Sequence, residues 1–183
     1  MNRTVSSARV AAWLAAAVVS AQEPTPAPVP RPAPSAAATA AVAQATAKAK
    51  VHNKHVLAVF SPGDFDPLVA MKRARELSRP LMYEFEVVAL AGADADALAV
   101  AWKFPDAMQA RPALCVLDAE GKVLAREVVA DLFEDDKAKG APLLERLKPQ
   151  FCAPVDAEAK LKSAQVEAKK SGRAVFVRFD APW

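Results

Sequence analysis

The sequence predicts an α/β protein: a three-layer sandwich with the element order βαβαββα, in which helices cover a β-sheet. Two observations carry the prediction. Short, continuous apolar runs such as His55–Phe60 and Pro112–Leu117 suit strands buried on both faces. Between them lie segments whose apolar residues recur at helical spacing. A third observation sets the end of the fold: Asp118-Ala119-Glu120-Gly121 is a turn that returns the chain as a hairpin strand over Lys122–Val129.

The folded part does not begin at the N-terminus. Residues 1–9 are polar, with Arg3 and Arg9 and no carboxylate; Val10–Val19 is apolar, and Val19-Ser20-Ala21 supplies small residues before Gln22. This three-part pattern predicts a cleaved signal peptide over residues 1–21 and delivery to the periplasm or the cell exterior. An apolar helix from Val10 to Ala21 is about 18 Å long, short of the roughly 30 Å hydrocarbon core, so no stable membrane span is expected after cleavage. Residues 22–50 form a Pro/Ala-rich linker. Its first part, QEPTPAPVPRPAPS, favours a stiff polyproline II tether, and its second, residues 36–50, is made of strong helix formers expected as a fraying helix.

Charge gives no case for nucleic acid or an anionic membrane as partner. The net charge of the 183-residue chain is +3. With residues 1–21 removed, the 24 basic residues lose two and no acid is lost, leaving a surplus of one over the 21 acidic residues.

Within the first predicted domain, residues 51–152, His55–Phe60 is the first strand. Asp66 followed by Pro67 is an N-cap and first-turn pair, and Leu68, Met71, Ala74 and Leu77 continue at helical spacing until Pro80, which is expected to stop the helix. Leu81–Leu90 is the second strand and Asp94–Phe104 the second helix, with Leu98, Ala101 and Trp102 on one face. Pro112–Leu117 and Lys122–Val129 follow as the hairpin, and a helix covers about Pro142–Gln150.

The hairpin entered through Arg111-Pro112 and running A-L-C-V-L-D-A-E-G-K-V resembles that of the thioredoxin superfamily. The resemblance covers about residues 41–150. It implies a cis peptide bond before Pro112, and it implies thiol–disulfide chemistry wherever a C-x-x-C pair opens the first helix. Residues 157–183 then repeat the opening of the first unit. Ala43-Gln44 and HVLAVFSPGD parallel Ala164-Gln165 and AVFVRFDAPW; setting Phe60 on Phe179 pairs Lys50 with Lys169, Val56 with Val175 and Asp64 with Trp183. The match is weaker over the helix than over the strand. G-R-A-V-F-V-R-F-D-A-P-W resembles the lead-in to a thioredoxin active site, with Phe179, Ala181, Pro182 and Trp183 as the residues before the expected dithiol. Residues 153–183 are therefore read as the start of a second thioredoxin-like domain, incomplete at Trp183, with Val175–Phe179 as its first strand. Thioredoxins often carry an acid at the position held here by Arg178, which implies different proton chemistry in that second unit.

Dithiol exchange needs a thiolate at a helix N-terminus, where the dipole and free N–H groups stabilise the anion, and a resolving thiol one turn on. By the repeat, the first unit carries Phe65, Asp66, Pro67 and Leu68 at these positions. No cysteine occurs from Ser61 to Arg79, whatever the register. Cys115 reads as a buried apolar residue in mid-strand, and Cys152 follows the last helix; a bridge between them would need Cα atoms within about 7 Å, which a central strand and a surface linker seldom provide. His52 and His55 straddle a helix-to-strand junction with no third ligand nearby, Asp94 and Asp96 suit helix capping, and no metal site, cofactor or phosphate loop is expected.

The sequence thus predicts an exported thioredoxin-fold protein that is non-catalytic as written. It would form the N-terminal part of a thiol–disulfide oxidoreductase or disulfide-handling protein whose partner is another protein or a thiol-containing protein substrate. The alternative is a structural or protein-binding module with no redox role. The two separate on whether C-x-x-C follows Trp183.

Overall fold

The computed structural model describes residues 33–134 and 136–177. The expected signal peptide, the first part of the linker, and Phe179, Ala181, Pro182 and Trp183 lie outside the described residues. Helix α1 (Ala36–His52) opens the fold, followed by β1 (His55–Phe60), α2 (Pro67–Arg73), α3 (Arg75–Tyr83) and β2 (Phe85–Leu90). Then come α4 (Gly92–Ala101), α5 (Asp106–Gln109), β3 (Ala113–Leu117), β4 (Val123–Val128), the short hairpin β5 (Phe133–Glu134) and β6 (Lys137–Ala138), α6 (Gly140–Leu147) and α7 (Ala157–Ser171).

The main sheet has the order β2-β1-β3-β4. β1 pairs in parallel with β2, His55 opposite Phe85 through Phe60 opposite Leu90, and antiparallel with β3, Val56 opposite Leu117 through Phe60 opposite Ala113. β3 and β4 form the antiparallel hairpin read from the sequence. The parallel pair is joined through helices and the antiparallel pair through a tight turn, as chain connectivity requires. This is the thioredoxin-like fold.

Because β1 is central, it is covered on both faces, and side-chain alternation sends its residues to two cores. Val56, Ala58 and Phe60 join Ala113, Cys115 and Leu117 of β3 beneath α1, α4 and α5. Leu57 and Val59 join Leu114 and Val116 beneath α2, α3 and α6, which contribute Met71, Leu77, Leu81, Leu143 and Leu147. Phe60 anchors the first core edge-on between Trp102 and Phe104, with ring centroids 6.0 and 5.9 Å away.

Helix α1 does not fray. Ser35 caps it by accepting from the Ala38 N–H, and Asn53 closes it in the left-handed conformation at φ 53°. The helix packs against the sheet through Ala38, Ala45 and Ala49, the last fully buried. Its small side chains let the backbone lie close to the sheet, so a segment that reads as a weakly amphipathic lead-in becomes a covering layer.

The largest departure concerns Pro80. The helix expected from Asp66 to Arg79 breaks at Ala74, which is extended (φ −74°, ψ 117°), and resumes as α3 with Pro80 inside it. The second strand accordingly begins at Phe85, not Leu81. Leu77 and Leu81 lie one turn apart on the face that packs on α6, and burying both outweighs the one helical hydrogen bond that proline lacks. The hairpin β5–β6 and the single turn α5 had no sequence expectation.

At the far end, α7 is capped by Asp156, which accepts from the Glu158 and Ala159 N–H groups, and closes at Gly172. It buries none of its residues. The strand expected from Val175 to Phe179 is not formed over residues 174–177, where no neighbouring strand among the described residues pairs with the backbone.

Candidate functional site

The start of α2 lies at the C-terminal end of β1, and the turn before β3 lies beside it. Between β1 and α2, Ser61 organises the loop: its backbone N–H donates to the Leu90 carbonyl (2.8 Å), its hydroxyl donates to the Phe65 carbonyl (3.0 Å) and accepts from the Gly63 N–H (3.3 Å). Gly63 holds φ +100°, a conformation that a side chain would strain. The loop therefore presents Phe65, Asp66, Pro67 and Leu68 in a fixed order at the helix N-terminus.

These four residues perform structural tasks. Phe65 is half-buried against Phe133, ring centroids 5.7 Å apart, and Pro67 is buried as the first helical residue. Asp66 is the N-cap; its Oδ1 accepts from the Leu68 N–H at 2.8 Å and the Val69 N–H at 3.3 Å. Those are the donors that would stabilise a thiolate in a dithiol enzyme, and a carboxylate of the chain itself already holds them.

Across from α2, the Arg111–Pro112 peptide bond is cis. The Pro112 carbonyl accepts from the Val129 N–H (3.0 Å), tying this turn to the end of β4. The Arg111 side chain fixes the other side. Its Nε donates to the Ala107 carbonyl (2.7 Å), one Nη donates to the Ser61 carbonyl (3.4 Å), and the other pairs with the Asp96 carboxylate. A single, largely buried guanidinium thus joins the β1–α2 loop, α4, α5 and the proline turn.

This network corrects one sequence expectation. Asp94 and Asp96 do not cap α4, whose N-cap is Ala91 without a side-chain bond. Asp96 pairs with Arg111, and Asp94 accepts from the Ser35 N–H (2.7 Å) and hydroxyl (2.9 Å), fastening the start of α1 to α4. Arg111 and Ser61 were not singled out from sequence. Their partners lie 15 and 50 positions away, and no local pattern encodes such a pair.

Neither cysteine lies at the start of α2. Both are free thiols. Cys115 is buried in β3 beneath the first core, and burial pushes its thiol up to about 12, with the Arg126 charge opposing only weakly. Cys152 is half-exposed after α6; burial and then the Glu84 carboxylate both raise it. The two thiols are held away from the thiolate state by environment. His55 Nδ1 donates to the Gln150 carbonyl (2.7 Å), while His52 is exposed in the last turn of α1. No group of three or more His, Cys, Asp or Glu residues that could hold a metal occurs among the described residues. A surface depression of about 660 Å³ lined by Arg75, Glu76, Ser78, Arg79 and Pro80 lies on α3, away from the α2 start. It holds no cysteine and no histidine. No described helix is long and apolar enough to cross a membrane.

No protein-family model matches this chain, and no curated protein does. Among solved structures, a disulphide isomerase from Xylella fastidiosa Temecula1 aligns at 26% identity over 55% of this chain and 84% of its own, with a TM-score of 0.45.

Proposed function

We propose that residues 51–152 are a non-redox, protein-binding unit of an exported disulfide-handling protein, and that residues 153–183 open its second thioredoxin-like unit. Asp66 carries the proposal. Its carboxylate holds the Leu68 and Val69 N–H groups of α2, the position where dithiol chemistry requires a thiolate. The absence of cysteine from Ser61 to Arg79 and the burial of Cys115 support the same reading. Export is supported by the tripartite pattern of residues 1–21, and a periplasmic or extracellular setting would suit a disulfide-handling partner domain. The second unit is supported by the F-D-A-P-W run at Phe179–Trp183. Protein partners, including thiol-containing protein substrates of the second unit, follow from that placement; no cofactor is called for.

The experiment is a comparison of insulin reduction by the 183-residue chain and by the full natural polypeptide, each with and without Cys115→Ser and Cys152→Ser. The expected result is background turnover from the chain and turnover from the full polypeptide that survives both substitutions. Turnover by the chain that disappears with Cys115→Ser overturns the non-redox assignment. A full polypeptide without turnover removes the disulfide-handling assignment and leaves the purely structural or binding module.

A further inference from the structure

We infer that β2 carries a symmetric dimer contact: its free edge pairs, antiparallel, with the same edge of a second copy of this chain. The inference goes beyond the functional reading and does not depend on dithiol chemistry in a second unit.

Backbone parity defines the edge. β2 is an end strand in the order β2-β1-β3-β4. The His55 N–H donates to the Glu84 carbonyl (3.1 Å) and the Ser61 N–H to the Leu90 carbonyl (2.8 Å), so the even-numbered residues of β2 turn their backbone groups towards β1. Phe85, Val87 and Ala89 therefore turn theirs outward. Among the described residues nothing bonds to them there.

The two edges of the sheet differ in how they are protected. β4 carries Arg126 and Glu127, the latter paired with Arg146 at 3.0 Å, and its ladder with β3 shifts register beside Val116 and Leu117. Such charges and irregularities discourage further pairing. β2 has none of these devices. Phe85–Leu90 contains no proline, glycine or lysine, and its ladder with β1 is regular throughout. Its one charge, Glu86, is neutralised by Lys54 of the same chain at 3.0 Å. A groove of about 260 Å³ runs along the strand beside α1, with Gln44 and Lys48 on its helical wall.

The edge itself identifies its partner. A two-fold axis at Val87 sets Val87 opposite Val87, and Phe85 opposite Ala89 of the second copy. Every outward residue then exchanges both of its backbone bonds, and a large side chain meets a small, exposed one. Glu86 falls opposite Val88. Moving the axis to Glu86 would oppose two carboxylates and leave Ala89 unpaired, and moving it to Val88 would leave Phe85 unpaired. Helix α1 runs opposite to β2, because Ser35 at its start bonds to Asp94 beyond that strand and Lys54 after its end bonds to Glu86. Lys48 thus lies nearer the Glu86 end of the groove and Gln44 nearer the Ala89 end. The same axis brings Lys48 towards Gln44 of the second copy, so no like charges meet. An extended segment of another protein would satisfy the backbone groups alone; these side-chain matches belong to this chain.

The test combines sedimentation with hydrogen exchange resolved to single amides, on the 183-residue chain between about 5 and about 500 μM. A reversible dimer is expected, with Kd on the order of 10–100 μM. The amides of Phe85, Val87 and Ala89 should exchange at least about tenfold more slowly at the high concentration, while those of Glu86, Val88 and Leu90 stay protected throughout. Val87→Lys and Val87→Glu place like charges on the axis, so each alone should weaken the dimer at least about tenfold and their equimolar mixture should restore it. Leu124→Lys on β4 should change nothing. Outward amides that exchange freely at every concentration overturn the inference and leave the edge to a segment of another protein. Outward amides protected in a monomer overturn it too, by showing that the chain covers its own edge. A dimer indifferent to both Val87 substitutions places the contact elsewhere. The exchange measurement needs no variant, so it decides even where a substitution prevents folding. A concentration-dependent edge in a protein without insulin reduction keeps this inference while the functional reading fails.

Discussion

Cysteines placed at Phe65 and Leu68 should yield a dithiol whose first thiol is a poor nucleophile, because Asp66 occupies the groups that would stabilise its anion. In Phe65→Cys/Leu68→Cys the backbone donors at positions 68 and 69 remain committed to the Asp66 carboxylate, at 2.8 and 3.3 Å in the parent. Helix N-termini bring cysteine pKa values from about 8.5 down to about 3.5–7.5 when these donors are free. Here they are not, and the adjacent carboxylate opposes ionisation. At a separation of about 5 Å and an effective dielectric of about 20–40, that repulsion is about 2–3 kcal/mol, or about 1–2 pKa units. The first thiol should therefore titrate at about 9.5–10.5. Adding Asp66→Gly frees both donors and removes the charge, while glycine at an N-cap costs only a few tenths of a kcal/mol relative to aspartate. That triple variant should titrate at least about 2 units lower, near or below 7.5. The assay is the pH dependence of iodoacetamide alkylation, read at the introduced residue by mass spectrometry. A thiol that already titrates below 7 with Asp66 in place, or that fails to move with Asp66→Gly, refutes the argument that the cap disables this position.

Three further outcomes follow from the packing. Phe60→Ala removes the ring held between Trp102 and Phe104 and should lower stability by about 3–5 kcal/mol in urea unfolding; a loss under about 1.5 would show that the first core does not depend on this ring. Ala49→Leu should cost about 1–3 kcal/mol by prising α1 from the sheet, whereas Ala47→Leu on its exposed side should stay within about 0.5; equal effects would refute the close approach of α1. Burial pushes the Cys115 thiol up from about 9.0 to about 12, so its contribution is fully present below pH 9 and is lost as pH rises towards 12. Relative to Cys115→Ala, the parent should lose stability in that window by up to about 1.4 kcal/mol per pH unit, and parallel curves would refute the burial of the thiol.

The strands and their hairpin were legible because they are runs of apolar residues bounded by turn chemistry: HVLAVF and ALCVL are buried in the structure essentially as their composition implies. Pro80 misled because proline reports on its own missing N–H and says nothing of what α6 offers to Leu77 and Leu81. The break at Ala74 carried no local signal, since alanine favours helix and its extended conformation is set by the packing on either side. Helix α1 was legible as a helix but not as a layer. Periodicity finds faces by contrast between large apolar and polar side chains, and a face made of alanine among alanines offers none. At the candidate site, the loss of the dithiol could be read directly, as could the cap at Asp66. The Arg111–Asp96–Ser61 connection could not, because it exists only once α4, the proline turn and the β1–α2 loop have been brought together.

The two fastenings at the opposite ends of α1 bear on how the domain would carry load. At one end Ser35 is bonded to Asp94; at the other, Asn53 donates its side-chain amide to the Ala153 carbonyl (3.2 Å) and His55 bonds to the Gln150 carbonyl. Chain arrives at the first end and departs from the second, about 25 Å away for 17 helical residues. Tension between the flanking segments would run lengthwise along α1 and be resisted in shear, by the alanine face sliding over β1 and β2 and by both fastenings together, not by peeling one contact at a time. Ser35 and Ala153 are thereby held about a helix length apart, and separating them further would require both fastenings to yield.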